Sequence, residues 1–326
     1  MEIDSIKTRV IGVDISSERT TYAIVDIRGN IIAKAFFDTP DYPNVNDFVS
    51  HLTNCIVELM EANGGYETIR SIGLSVPSAS SVSGCVENAA NLPWKGVIPL
   101  AAMLRDQLGL AVAMANDAHV TAMGEKAFGS AHGLKDFIIV NVGVGLGSCF
   151  YTAGSEHKGF AGFGGEVGHT CVVPGGRECG CGKKGCLESY SAAKGIIRTA
   201  EEMMAESDEP SLMRSLEKLS PRTIAECCDQ GDKMAIEVFR RTGEMLGLGL
   251  ANYASIVDPE AIILAGGVSH AGKWLIEPLR ESFNKNVFHN ISGKVKIVRS
   301  ILDDRERDVL GASVLAWDVP EYSLFK

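Results

Sequence analysis

Residues 137–153 read Phe137-Ile138-Ile139-Val140-Asn141-Val142-Gly143-Val144-Gly145-Leu146-Gly147-Ser148-Cys149-Phe150-Tyr151-Thr152-Ala153. The apolar, β-branched run from 137 to 142 is a strand, the three alternate glycines are a tight loop, and residues 148–152 are a second strand. A dinucleotide-binding unit needs a helix after such a glycine loop, so that fold is excluded here. No G-x-x-x-x-G-K-[ST] sequence occurs either. The N-terminus repeats the plan, with strands at 9–14, 20–26 and 31–37, the last two joined by the turn Arg28-Gly29-Asn30. Residues 10–26 and 137–153 therefore form an internal repeat, which predicts two lobes of common topology.

Between the repeats, Val49, Leu52, Cys55, Ile56 and Leu59 fall at helical spacing, and the helix stops at Asn63-Gly64-Gly65. A strand at 69–76, a helix at 99–109, a strand at 111–116 and a helix at 117–128 follow. Asn116-Asp117 thus sits at a strand-to-helix junction, with the acid where the helix macrodipole favours it. The second half carries helices at 192–204 and 234–257, a strand at 261–264 running into Gly266-Gly267, and a closing helix near 308–316. We expect an N-terminal lobe over 1–120 and a C-terminal lobe over 121–326, with the closing helix packed on the N-terminal lobe.

A chain of 326 residues exceeds what one core usually supports, which favours two lobes with a cleft between them. Apolar residues at 45% and aromatics at 7% describe a well-patterned globular chain able to bury a core. The net charge of −10, with no compensating basic run, opposes a nucleic-acid or anionic-membrane partner. Residues 1–8 are polar, and no apolar run approaches the roughly 20 residues of a membrane span, so neither leader nor anchor is expected. Nine cysteines form no disulfide framework, which places the chain in the reducing cytoplasm. Six of them (Cys55, Cys85, Cys149, Cys171, Cys227, Cys228) read as scattered in apolar or helical surroundings.

The other three are clustered in Cys179-Gly180-Cys181-Gly182-Lys183-Lys184-Gly185-Cys186. Interspersed glycines allow the tight turns of a tetrahedral site, and His169 upstream supplies a fourth ligand, so a structural Zn²⁺ in a Cys₃His set is expected. A redox role would need a C-x-x-C pair beside a helix, whereas the first pair here is C-x-C.

Gly165-Glu166-Val167-Gly168-His169 followed by that cysteine run and Leu187-Glu188 resembles the signature of the ROK family of sugar kinases and sugar-responsive repressors. The resemblance extends over 10–316, and Asn91-Leu92-Pro93-Trp94-Lys95-Gly96 is similar to the bacterial glucokinase branch. It implies a two-lobe, actin/hexokinase-like (ribonuclease H-like) α/β fold with a zinc knuckle at 169–188. It also implies that His169 binds zinc through one ring nitrogen and faces a sugar with the other. Glu166, Glu188, Asn91 and Asn116 would hold the ring hydroxyls of a hexose or N-acetylhexosamine, a donor and acceptor set suited to such a ligand. Asp117 would be the general base that accepts the sugar hydroxyl's proton as its oxygen attacks the γ-phosphorus of ATP, accompanied by Mg²⁺. Family members are commonly dimers or tetramers, so a homo-oligomer is implied as well.

The nucleotide side departs from the family pattern. Asp14 and the loops at Gly143, Gly145, Gly147 and at Gly266, Gly267 (residues 266–272, adenine side) are the implied ATP contacts. Where the family has Asp-x-Gly-Gly-Thr, this chain has Asp14-Ile15-Ser16-Ser17-Glu18-Arg19-Thr20, and the threonine of the second loop's Gly-Thr-Gly is Val144. Ser16, Ser17 and Arg19 are left as alternative phosphate donors. Two functions follow: an ATP-dependent hexose kinase, or a sugar-binding regulator that no longer phosphorylates. The stretch ahead of the first strand is too short for a helix-turn-helix, which disfavours a complete repressor.

Overall fold

The structure is a computed structural model that describes residues 7–89, 91–160, 162–304 and 306–319. It divides into two compact units, one of Met1–His132, Phe160–Phe163 and Leu302–Lys326, the other of Gly133–Gly159 and Gly164–Ile301. The division after His132 lies beyond the expected boundary at 120, because a cut there would sever a helix.

The chain begins with strands β1 (Arg9–Ile15), β2 (Arg19–Asp26) and β3 (Ile31–Asp38), then helix α1 (Val45–Ala62). Asn44 caps α1, its side chain accepting from the Asn46 and Asp47 amides. Next come β4 (Ile69–Ser75), the short β5 (Ala79–Ser80), β6 (Cys85–Glu87) and β7 (Val97–Ile98), α2 (Leu100–Leu108), β8 (Ala111–Ala115) and α3 (Asp117–Phe128). The second unit carries β9 (Phe137–Val142), β10 (Leu146–Thr152), β11 (Ser155–Glu156), α4 (Glu188–Ser191), α5 (Ala193–Glu206), α6 (Pro221–Asp229), α7 (Lys233–Val257), β12 (Ala261–Ala265), α8 (Lys273–Asn286) and β13 (Lys296–Arg299). Helix α9 (Arg307–Trp317) then rejoins the first unit.

Each unit is built on a five-stranded sheet, ordered β3-β2-β1-β4-β8 in the first and β11-β10-β9-β12-β13 in the second. In both, an antiparallel meander feeds two parallel strands: β1 pairs with β4 as β9 pairs with β12. The repeat read from the sequence is this topology, made twice. Buried branched aliphatic residues line the sheet centres, with Ile11, Val13, Ile72 and Leu74 in the first and Ile138, Val140, Ile262 and Leu264 in the second. One face of the first sheet is covered by α9 at unusually close range. A Cβ on Gly12 would lie 2.2 Å from the Val309 carbonyl oxygen, and one on Gly73 would lie 1.9 Å from that of Ala312. Only glycine lets the helix backbone rest on the strands there.

Candidate functional site

In the first unit, the ends of β1 and β8 bring Asp14 and Asp117 into one electrostatic neighbourhood. Asp14 lies opposite Ser75 on β4, whose hydroxyl donates to its Oδ1 at 2.8 Å. Burial raises the Asp14 pKa well above its ordinary value, and the carboxylates of Asp308 and Asp117 raise it further. The Ser75 bond and Arg307 oppose that shift and do not cancel it. Asn116 is the N-cap of α3, its Oδ1 accepting from the Ala118 amide at 3.0 Å. Asp117 is the first helical residue, and its Oδ1 accepts from the same amide at 2.8 Å. Capping therefore occupies one oxygen of the side chain implied as a sugar contact. Asn91 is exposed in the turn between β6 and β7, and the residues that follow anchor that turn: Leu92 and Trp94 are buried, and Trp94 packs 4.4 Å from Phe48.

Two polar side chains of the loop after Asp14, Ser16 and Arg19, have partners within the protein. Ser16 closes the turn on itself, donating through Oγ to the Arg19 carbonyl at 2.9 Å and accepting from the Arg19 amide at 3.1 Å. The Arg19 guanidinium lies 4.1 Å over the Phe36 ring and 4.0 Å from Asp38. Glu18 is exposed. Of the alternative donors read from the sequence, Ser16 is thus held in its own turn and Arg19 lies against β3.

In the second unit the glycine loop is narrower than the sequence suggested, since β10 begins at Leu146 and Gly147 pairs with Asn141 inside the ladder. Gly147 is therefore a strand residue, and only Gly143, Val144 and Gly145 form the loop. The Leu146 amide donates to Glu188 Oε2 at 2.9 Å, and the Ala193 amide to the Gly143 carbonyl at 2.9 Å, so the loop is tied to α4 and α5. Glu188 braces the loop with one oxygen. Glu166 is exposed at the start of the 3₁₀ turn Val167–His169. The Ser148 hydroxyl fastens that segment to β10, donating to the Gly165 carbonyl and accepting from the Val167 amide at 3.0 Å. Gly266 and Gly267 follow β12, Gly266 with φ +83° and Gly267 opening the 3₁₀ turn Gly267–Ala271.

His169, Cys179, Cys181 and Cys186 converge, their ligand atoms all lying within 4.8 Å of one another. Cys179 Sγ is 3.6 Å from His169 Nδ1, and Cys181 Sγ is 3.7 Å from Cys186 Sγ. A tetrahedral Zn²⁺ with Zn–S about 2.3 Å and Zn–N about 2.0–2.1 Å has edges of about 3.6 Å (N–S) and about 3.8 Å (S–S), so the donor set fits the ion in type and size. Burial and the adjacent Cys181 and Cys179 push the Cys186 thiol up to about 12. Held as thiolates, the three sulfurs would need a cation in this space, and a divalent metal would reverse the shift.

Sequence reasoning missed two anchoring groups. Arg177 has only 11% of its side chain exposed and pins the knuckle to the helices beside it. It donates to the carbonyls of Ser189 at 3.2 Å and Gly195 at 3.0 Å, to Thr199 Oγ1 at 3.0 Å and to Glu202 Oε2 at 2.5 Å, and lies 4.8 Å from the Tyr190 ring centre. Arg307 is buried at 3% exposure and pairs with Asp304 and Asp308, while the Thr121 hydroxyl donates to Asp308 Oδ1 at 2.8 Å, tying α9 to α3. Both arginines lie in polar, charged stretches of the sequence. No periodicity marks them.

A doubled meander-plus-parallel sheet with a Cys₃His knuckle on its second copy defines a two-unit α/β protein of the actin/hexokinase-like fold. The family model described as "ROK family" matches residues 10–319, and the chain belongs to that family. A glucokinase of Halalkalibacterium halodurans is 32% identical over 84% of each chain. A xylose repressor of Caldicellulosiruptor bescii is 29% identical over 91% of this chain and 75% of its own. The crystal structure of a ROK family glucokinase from Streptomyces griseus with glucose and AMPPNP superposes with a TM-score of 0.81, at 29% identity over 95% of this chain and all of that one.

Proposed function

We propose that the chain is an ATP-dependent hexose kinase, of glucokinase type, that transfers the γ-phosphate to a sugar hydroxyl. The reading is carried by Asp117 at the β8–α3 junction in a chain whose similarity to glucokinases runs through both units. Asp117 accepts the hydroxyl proton as the sugar oxygen attacks phosphorus, and helix α3 fixes the carboxylate's approach. Asn91, Asn116, Glu166, His169 and Glu188 match the family's hydroxyl contacts and are taken as the groups that hold the sugar. With Nδ1 on zinc, His169 would keep Nε2 for the sugar, so the metal orients a substrate contact. Mg²⁺, when bound with ATP, supplies charge neutralisation at the transferred phosphate. Asp14 and the glycine loops at 143–145 and 266–267 match the family's ATP contacts.

A second reading, a sugar-binding regulator without turnover, is favoured by two observations: Ser16 and Arg19 have partners in their own turn and on β3, and the similarity includes a xylose repressor. Calorimetry with glucose, with N-acetylglucosamine and with a non-hydrolysable ATP analogue plus Mg²⁺ separates the two. The kinase reading requires heat from the analogue; sugar heat with none from the analogue supports the regulator. Metal analysis of protein purified without chelator is expected to return one zinc per chain, and none would refute the knuckle reading.

The free thiols suit a reducing cytoplasm, and among the described residues no helix is long and apolar enough to cross a membrane. A homodimer or tetramer is supported by the exposed Ile256 and Phe288, neighbours through the Phe288 amide bond to Ser255 Oγ at 3.1 Å. Light scattering tests it.

A further inference from the structure

Cys171 is not one of the four groups that would hold the metal, yet it faces one of them. The Leu187 amide donates to the Thr170 carbonyl at 2.9 Å and the Val172 amide to the Gly185 carbonyl at 2.8 Å. Between these bonds, Cys171 and Cys186 are directly opposed in an antiparallel bridge of the non-hydrogen-bonded kind. Such pairs hold their α-carbons about 4.5 Å apart with both side chains on one face, inside the window of about 4.4–6.8 Å that a disulfide requires. Cys171 Sγ sits beside Gly185, where a Cβ would approach it to 3.1 Å, so no side chain of residue 185 intervenes. Cys171 is exposed and Cys186 buried, so within this pair a soluble oxidant meets Cys171 first. The sequence reading had placed Cys171 apart from the cysteine cluster; the fold puts it on the knuckle's own ladder.

We propose that Cys171 and Cys186 are a peroxide-responsive pair whose disulfide removes one ligand from the metal site. The Cys171 thiolate attacks hydrogen peroxide, giving a sulfenic acid and hydroxide. Cys186 sulfur then attacks the sulfenic sulfur, forming the S–S bond and expelling a second hydroxide. Peroxide is reduced by two electrons, the two sulfurs are oxidised by two, and two waters take up the thiol protons. Only His169, Cys179 and Cys181 then remain for the ion, which leaves. This rests on the metal reading of the quartet. Loss of Cys186 as a ligand also frees the segment leading to Glu188, so the device couples oxidant to the sugar-binding face.

The test uses full-length protein whose zinc content is measured first. Peroxide is added with a chromogenic chelator present, and non-reducing peptide mapping follows. Wild type is expected to release zinc while a Cys171–Cys186 peptide appears, with thiol reductant reversing both. Cys171→Ser is expected to hold the same starting zinc and release it about tenfold more slowly, since the attacking thiol is gone. Cys85→Ser, an unrelated thiol, is expected to behave as wild type. Equal release rates in Cys171→Ser and wild type, or mapping that finds Cys179–Cys181 in place of Cys171–Cys186, would overturn the proposal. If the starting zinc is nil, the metal reading has failed, and mapping the metal-free chain still decides the pairing.

Discussion

Asp14 carries a proton more tightly in the folded chain than in the unfolded one, because burial, Asp308 and Asp117 outweigh Ser75 and Arg307. The fold therefore bears a penalty that is absent in acid and grows as the pH rises from the unfolded carboxylate pKa through the raised one. Asn can keep the Ser75 bond as an acceptor without the charge. Asp14→Asn is expected to raise the thermal midpoint at pH 7 and to converge on wild type below about pH 3.9. An unchanged or lower midpoint at pH 7 would contradict this. Arg307 sits in the same neighbourhood with the opposite sign. Replacing it with Met strands the Asp304 and Asp308 carboxylates, and a loss of about 3–5 kcal/mol in denaturant unfolding is expected.

At the scale of elements, contact between backbones decides more than side-chain volume. Helix α9 rests on β1 and β4 only because Gly12 and Gly73 lack a Cβ. Gly73→Ala must push the helix off the sheet, and an unfolding free energy lower by about 1–3 kcal/mol is expected from the strain, read by urea titration. Arg177 does for the knuckle what those glycines do for α9. Removing its guanidinium in Arg177→Met unties the loop from α4 at one acceptor and from α5 at three. The expected result is faster zinc loss to a chelator and a raised sugar KM with kcat little changed; unaltered zinc loss would show that the cysteines alone position the knuckle. The strands, the long helices and the cysteine cluster were legible because period, glycine punctuation and ligand spacing are local signals. Arg177, Arg307 and Cys171 were not, since their partners are fixed by tertiary pairing and not by spacing. Helix α6, with its Ser220 cap, and helix α8, with Pro278 inside it, were also missed: α6 is short and α8 carries a residue that normally ends a helix.

On the scale of the whole chain, the doubled sheet explains how the residues are supplied. One copy carries Asp14 near the end of its first strand and Asn116-Asp117 directly after its last; the other joins its first two strands through a glycine loop and carries the knuckle. What the family pattern would not reveal is how far the altered first loop tolerates ATP, because Ser16 and Arg19 take their partners from β2 and β3. The decisive measurement is the initial rate of hexose phosphate formation from glucose and Mg²⁺-ATP, for wild type and Asp117→Ala, with glucose affinity measured for both. The kinase account predicts turnover in wild type, a fall in kcat of about 10²–10⁴-fold in the variant as expected for a lost general base, and nearly equal glucose affinity. Glucose binding with no phosphorylated product from wild type would contradict it.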